Sequence, residues 1–434
     1  MSSPVFYVFP PNRFMSTRRA LFRALSKSDL NMLRALRGRG ISLAYEPEDA
    51  APAFNVALAE DFVDIAVLDW LDAEGVDPAM RDRDQWVGPL HMAVGRADPA
   101  AFAWLLRQGL DLNAQTRTGE TALMLCARPP EDVPEHWAAE NWREYALRDA
   151  RELLAAGADP NLADEAGRTA LDSACETGDA DMVSLLLMTG ARADCADADG
   201  VTPLHLAAVN GSEACLRALI EAGVQVDAKN INGATPLHSL AELSVTETTP
   251  AHLKAASLLM AAGGNLSVID AAGRTPFTLA VRTGNVPMAA IMVAGGAMGV
   301  SNRGDALRDA VMFEDADMTG LLIRAGADVN MELDGDESRA LHIAAHEGFT
   351  AGVKALLDHG ADIEAVNGDG ETALLIAVRR QKFAVVEQLI LRGANTAHTD
   401  AYGNTALSLA QRRKNAGILR LLDGAQSLPQ VRAL

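Results

Sequence analysis

DADGVTPLHLAAVNGSEACLRALIEAGVQVDAK, residues 197–229, is the stretch from which the fold can be read. Asp197-x-x-Gly200 spells a tight turn, with glycine supplying a positive φ. Thr202 can cap a helix N-terminus, and Pro203 suits the first helical position, where no N–H is needed. His205, three residues after the cap, can reach back to it. Leu204, Leu206, Ala207 and Ala208 predict a short helix with small residues on its packed face, broken at Asn210-Gly211. Leu216, Leu219 and Ile220 mark a second helix at three-four spacing, ended at Gly223 by a left-handed cap. Neither helix can bury its apolar face alone, so each pair needs neighbours to stack on.

The neighbours are in the sequence. A glycine follows an apolar helical run at Gly40, Gly75, Gly109, Gly157, Gly190, Gly223, Gly263, Gly296, Gly326, Gly360, Gly393 and Gly424. Two longer gaps apart, the period is about 33 residues. The turn-and-cap signature returns as GETALMLCA from Gly119, GRTALDSAC from Gly167, GATPLHSLA from Gly233 and GRTPFTLAV from Gly273. It returns again as RALHIAAHEG from Arg339, GETALLIAV from Gly370 and GNTALSLAQ from Gly403, and second-helix ends read LLAAGADPN, LLIRAGADVN and LLDHGADIEA. The pattern resembles the ankyrin repeat family over residues 18–428. That resemblance implies an all-α solenoid of helix–turn–helix units with short β-turn or hairpin links, in a curved open array. It implies about twelve repeats, the first two degenerate, and an arc on the order of 100–120 Å.

The expected organisation is an irregular segment at 1–17, two degenerate capping repeats at 18–83, core repeats at 84–400, a closing repeat at 401–428 and a tail at 429–434. Repeat nine, from Gly304, lacks the usual turn glycine and starts directly at Ala306-Leu307. Two insertions fall between a repeat's two helices. PPEDVPEHWAAENWREYALR, 129–148, reads as helical from Glu135 and carries Trp137, Trp142 and Tyr145, which fit either a core of the insertion or a binding surface. SVTETTP, 244–250, reads as a loop.

Composition narrows the function. With 49% apolar and 22% charged residues the chain reads as folded, and no apolar run reaches the ~18 residues of a membrane span. Lys and Arg number 38 against 58 Asp and Glu, a net charge of −20, which makes a poor general binder of phosphate backbones and excludes nucleic acid as the expected partner. Residues 1–45 carry +7 and 376–434 carry +6, leaving −33 in the middle. Such a middle steers a basic partner. The basic stretch Arg13–Arg39 is a little like a presequence, but it already carries the repeat pattern. Four cysteines without C-x-x-C spacing fit a reducing, cytoplasmic setting.

No catalytic constellation emerges. His342 and His346 share i, i+4 spacing but lack the H-E-x-x-H order, and His342 falls on the capping position also held by His91, His205 and His238. Neither a phosphate-binding loop nor a nucleophile elbow is present, so the expectation is a non-enzyme without cofactor or metal.

What remains is a surface. In the family this chain resembles, partners dock on the concave side built from turn tips and first helices. Carried over residue by residue, the tips are Trp86, Val87, Glu165, Arg168, Asp199, Val201, Ile231, Asn232, Arg274, Asp369, Glu371, Tyr402 and Asn404. The helix ends are Arg128, Glu176, Asn210, Glu242, Arg282, Glu347, Arg379, Arg380, Arg412 and Arg413, to which the insertion adds Trp137, Trp142 and Tyr145. The expected function is non-catalytic protein binding, as scaffold, adaptor or inhibitor, by a chain that is monomeric when free. A bacterial immunity protein neutralising a basic toxin is one alternative, and a secreted effector acting on host proteins another.

Overall fold

The structure is a computed structural model that describes residues 16–44, 52–59, 63–96, 98–128, 139–297, 303–333 and 335–426. Among these residues run twenty-four helices, from Ser16–Ser26 to Ala416–Gln426, and the sole β-bridge joins Glu332 to Arg339. The fold is an all-α repeat solenoid, as expected, with links built from turns. No helix of the described residues is long and apolar enough to cross a membrane. The chain divides into two compact units, Met1–Ile231 and Asn232–Leu434.

The segment 197–229 folds as read. Its helices are Pro203–Asn210 and Glu213–Glu221, with Gly211 and Gly223 both at positive φ. Leu204, Ala207, Ala208, Leu216 and Leu219 are fully buried or nearly so. The capping histidines work as a set. Nδ1 of His205 accepts from the Thr202 N–H at 3.2 Å, and the Thr202 hydroxyl lies 2.8 Å from the same nitrogen. His91, His238 and His342 repeat this on Gly88, Thr235 and Arg339. In His91 and His342 the other nitrogen bonds a carbonyl 23 residues on, Ala114 at 3.0 Å and Ala365 at 2.9 Å. Each such imidazole therefore closes one end of a helix and holds the loop after the next one. Second helices start instead on short polar caps: Asp29, Asp98, Asp179, Ser212, Asn285 and Asp315 all accept from a backbone N–H in the first turn.

Two kinds of hydrogen bond join successive layers. At the tips, one backbone N–H reaches the preceding turn. In the first unit these are Arg117 to Gln85 (2.7 Å), Glu165 to Thr118 (3.0 Å), Ala198 to Ala166 (2.9 Å) and Ile231 to Asp199 (2.9 Å). In the second they are Ala271 to Asn232 (2.8 Å), Gly368 to Asp336 (2.6 Å) and Ala401 to Asp369 (3.0 Å). The turn glycine permits this approach: a Cβ at Gly119 would lie 2.8 Å from the Glu165 nitrogen. Beyond the second helix, asparagine is the bridge. Asn161 Nδ2 donates to the Gly190 carbonyl (3.1 Å) while its Oδ1 accepts from the Arg192 N–H (2.8 Å). Asn330 does the same with Gly360 (3.0 Å) and Asp362 (2.8 Å).

Several expectations need correction. Gly424 ends nothing: it lies inside the helix Ala416–Gln426, which runs two residues past it. The smaller insertion is a loop only to Thr249, because Pro250 opens the helix Pro250–Ala261 and His252 caps it, accepting from the Thr249 N–H at 3.0 Å. The larger insertion gives the helix Ala139–Ala155, while residues 129–138, Trp137 among them, lie outside the described residues. Trp142 is 5% exposed and packs on Gly95, where a Cβ would overlap the indole. Asp149, fully buried, accepts from the Gly95 N–H at 2.9 Å and from Arg148. Burial pushes its carboxyl up to about 6. The insertion helix is thus clamped to the preceding layer.

Asn330→Ala should remove both bonds of its bridge and cost about 1–3 kcal/mol locally. Faster amide hydrogen exchange across 330–362 than in the parent is the expected reading, and equal rates contradict the role given to this residue.

Asp172 occupies the position that histidine takes elsewhere. It accepts from the Thr169 N–H and hydroxyl at 2.8 Å, and burial pushes its carboxyl up to about 6. A folded value above the unfolded one means that its contribution falls as pH rises from about 4 to about 6 and stays low above that. Asp172→His should therefore stabilise by about 1–2 kcal/mol at pH 8 and by little at pH 4.5. Urea midpoints at both pH values would check it, and a gain confined to the acidic side would contradict it.

Candidate partner-binding surface

The tip face gathers two rows of side chains, one just after the turn glycine and one at the end of the first helix, eight residues later. The rows touch. Glu120 pairs with Arg128, Arg168 with Glu176 (3.8 Å), Glu371 with Arg379 (2.6 Å), and Arg412 donates to Asn404 (2.9 Å). All of these residues except Glu120 were singled out individually from the sequence. What was missed is their pairing, which the constant separation of eight could have signalled. Two expected sites are not available to a partner. Glu371 is 2% exposed, held under Arg379, and burial raises its carboxyl. Trp142, as above, belongs to the core.

In the first unit the tips Trp86, Glu165, Asp199 and Ile231 are exposed, as are the helix ends Glu176 and Asn210. Val87, Arg128, Tyr145, Arg168 and Val201 are half-buried. Asn210 is partly committed, donating to the Glu176 carbonyl at 3.0 Å. Trp86 stands apart. It is 53% exposed and sits at φ 57°, where the tips at Gly119, Gly167 and Gly200 place glycine. A bulky residue is rare in this region. It is held there by Asp82, which accepts from the Gln85 and Val87 N–H groups, and by Asn55 Nδ2 on the Val87 carbonyl at 2.8 Å.

In the second unit Asn232, Glu242, Arg282, Arg380, Arg412 and Arg413 are exposed, and Arg274, Glu347, Arg379 and Asn404 are half-buried. Arg274 is tied to Asp270 at 2.7 Å. Tyr402, 75% exposed, donates its hydroxyl to Asp369 at 3.3 Å, and that carboxylate raises its phenol. Here the face opens into a groove of about 350 Å³. Met312, Ile343 and Ile376 line it with apolar surface, Asp336 and Asp369 with tip carboxylates, and His346, Glu347, Arg379 and Arg380 with helix ends. Met312, His346, Asp336 and Ser338 were not foreseen as site residues. The missing turn glycine of repeat nine hid the register that brings Met312 to this face.

Several titratable groups of the groove and of the helix core are committed to the fold. His342 spends both ring nitrogens on backbone groups, and burial lowers its basicity. His346 bonds Glu347 at 2.8 Å. No three His, Cys, Asp or Glu side chains of the described residues come together as a metal site. Burial raises the thiols of Cys126 and Cys175 well above their usual range, which disfavours the nucleophilic thiolate.

The family model for ankyrin repeats in three copies matches residues 136–230, 189–259, 307–400 and 341–427, together more than half of the chain. The chain belongs to the ankyrin-repeat family. Ankyrin repeat and SOCS box protein 16 of Mus musculus is 38% identical over 104 residues, 23% of this chain and 21% of that protein. The chain thus matches about a fifth of the length of this curated relative. Ankyrin repeats suggest a role in protein–protein interaction.

Core and surface aromatics should separate cleanly. Trp142→Ala is expected to cost about 3–5 kcal/mol, against less than about 0.5 kcal/mol for Tyr402→Ala. Urea denaturation of both variants measures this, and equal losses would place Tyr402 in the packing.

Proposed function

We propose that the chain is a non-catalytic protein-binding solenoid that works as a scaffold or inhibitor by holding a partner against its tip face. The observation that carries this reading is the groove of the second unit. It combines a few apolar side chains with exposed charges of both signs, the make-up of a polypeptide site rather than of a small-molecule cavity. Exposed Trp86 and Tyr402 add aromatic anchors of the kind enriched at binding hot spots. The acid excess of the chain favours a partner that is basic overall, recruited at a rate that salt slows. That same excess favours, as a second reading, an immunity protein that neutralises a basic toxin. A cytoplasmic setting suits four free cysteines, three of them buried.

The test compares faces. Affinity capture by the tagged full chain should yield a stoichiometric protein that is lost with Asp369→Lys or His346→Glu. It should be kept with Met188→Ser and Leu391→Ser, which change exposed residues of second helices. Capture that depends on Met188 or Leu391 instead overturns the proposal. For a basic partner, association should slow about tenfold or more between 50 and 300 mM salt, and a flat response removes the electrostatic part.

A further inference from the structure

In the second unit, the last four first helices end in the same register, one they share with Pro276–Arg282, which ends on Arg282-Thr283 before Gly284. Each ends with two side chains just before a residue at positive φ: Met312-Phe313 before Glu314, His346-Glu347 before Gly348, Arg379-Arg380 before Gln381, and Arg412-Arg413 before Lys414. The shared cap fixes their alignment, so the pairs form one row across four layers. Its first layer is apolar: Met312 is 49% and Phe313 57% exposed. Its last two layers are cationic. Arg379 is occupied by Glu371 and Arg412 by Asn404. Arg380 and Arg413 are exposed, and among the described residues neither side chain has a hydrogen-bond or ion-pair partner. In a chain with 58 acidic residues against 38 basic ones, unpaired arginines in adjacent layers are notable.

Helix polarity does not account for them. A cation is favoured at any helix C-terminus. Yet in this same unit the helices Pro236–Glu242 and Ala340–Glu347 end on glutamate. Among the helix ends that share this register, Pro276–Arg282 contributes one arginine, and only the last two layers carry two each.

Resting on the partner-binding reading, we propose that this row is a recognition track for an extended acidic segment of the partner. An apolar side chain of the segment seats on Met312 and Phe313, and its carboxylates pair with Arg380 and Arg413. Guanidinium groups bind carboxylates through two parallel N–H···O bonds, which suits this chemistry. Layers lie about 10 Å apart and an extended chain advances about 3.3 Å per residue, so one layer corresponds to about three residues. The apolar anchor is thus about six residues from the first carboxylate and about nine from the second. Glu347, between them, is held by His346, and Lys382 donates its ammonium to the Glu347 carbonyl, so the middle layer does not repel the segment as a bare carboxylate would.

The experiment uses the full chain and fluorescent peptides read by anisotropy. The probes carry one leucine and glutamates six and nine residues away, synthesised in both chain directions on a Gly/Ser background. One direction should bind. Arg380→Ala and Arg413→Ala should each weaken it about tenfold, and Phe313→Ser by a similar factor, while Arg420→Ala, an exposed cation on a second helix, should not. Tighter binding of the lysine counterpart, equal binding of a peptide with its glutamates at three and four, or no binding up to about 1 mM each overturns the track. The two readings separate. A captured partner whose affinity is untouched by Arg380→Ala and Arg413→Ala leaves the interaction role standing and removes the track. Register-dependent peptide binding without a captured partner does the reverse.

Discussion

Everything in this molecule depends on helix pairs that cannot bury themselves. A first helix of seven or eight residues, such as Pro203–Asn210, makes too few of its own hydrogen bonds to persist alone. It persists because Leu204, Ala207 and Ala208 are covered by neighbours and because His205 accepts the backbone N–H of its cap residue Thr202. Stability in such a chain is a sum of contributions between adjacent layers. The tip-to-tip N–H bonds and the Asn161 and Asn330 bridges are where those contributions acquire direction and register.

The same bonds arrange the surface. Since each tip is pinned to the one before it, the side chains after the turn glycine and at the helix end recur at a fixed separation. They meet as pairs: Glu120 with Arg128, Arg168 with Glu176, Glu371 with Arg379. Most charges on this face are thereby spent internally. Arg380, Arg413 and the apolar Met312-Phe313 are among the exceptions, together with Glu165, Asp199, Glu242 and Arg282, and such unspent groups are the ones open to something outside the chain. Met312 and Arg380 also line the groove of the second unit.

The fold was legible because its rules are local. Glycine at a left-handed position, Thr-Pro at a helix start and histidine three residues on each carry their reason within a few residues. The places where reading failed lack that locality. Gly424 has the right residue type, but an α-helix that continues to Gln426 overrides it. Trp142 has the composition of a binding anchor, yet its burial depends on Gly95, almost fifty positions away. Glu371 looks like an exposed tip until Arg379 is folded over it. Met312 was invisible because repeat nine lacks the glycine that sets the register elsewhere. Site residues are decided by such long-range meetings, and they show in a sequence only once the period is used as a ruler.

Both insertions of this chain fall at one junction, between the first and second helix of a layer, and none of the described tips is lengthened to the same extent. Tip turns such as those at Gly119, Gly167 and Gly200 are wedged against the next layer, where even one carbon atom would collide, whereas the elbow between the two helices has accepted both insertions. A lineage can therefore add length there, as the clamped helix Ala139–Ala155 does, without loosening the rest. For an engineer, the elbow already lengthened between Glu242 and Pro250 is the position at which a foreign loop could be grafted, because it lies outside the row of helix ends from Met312 to Arg413.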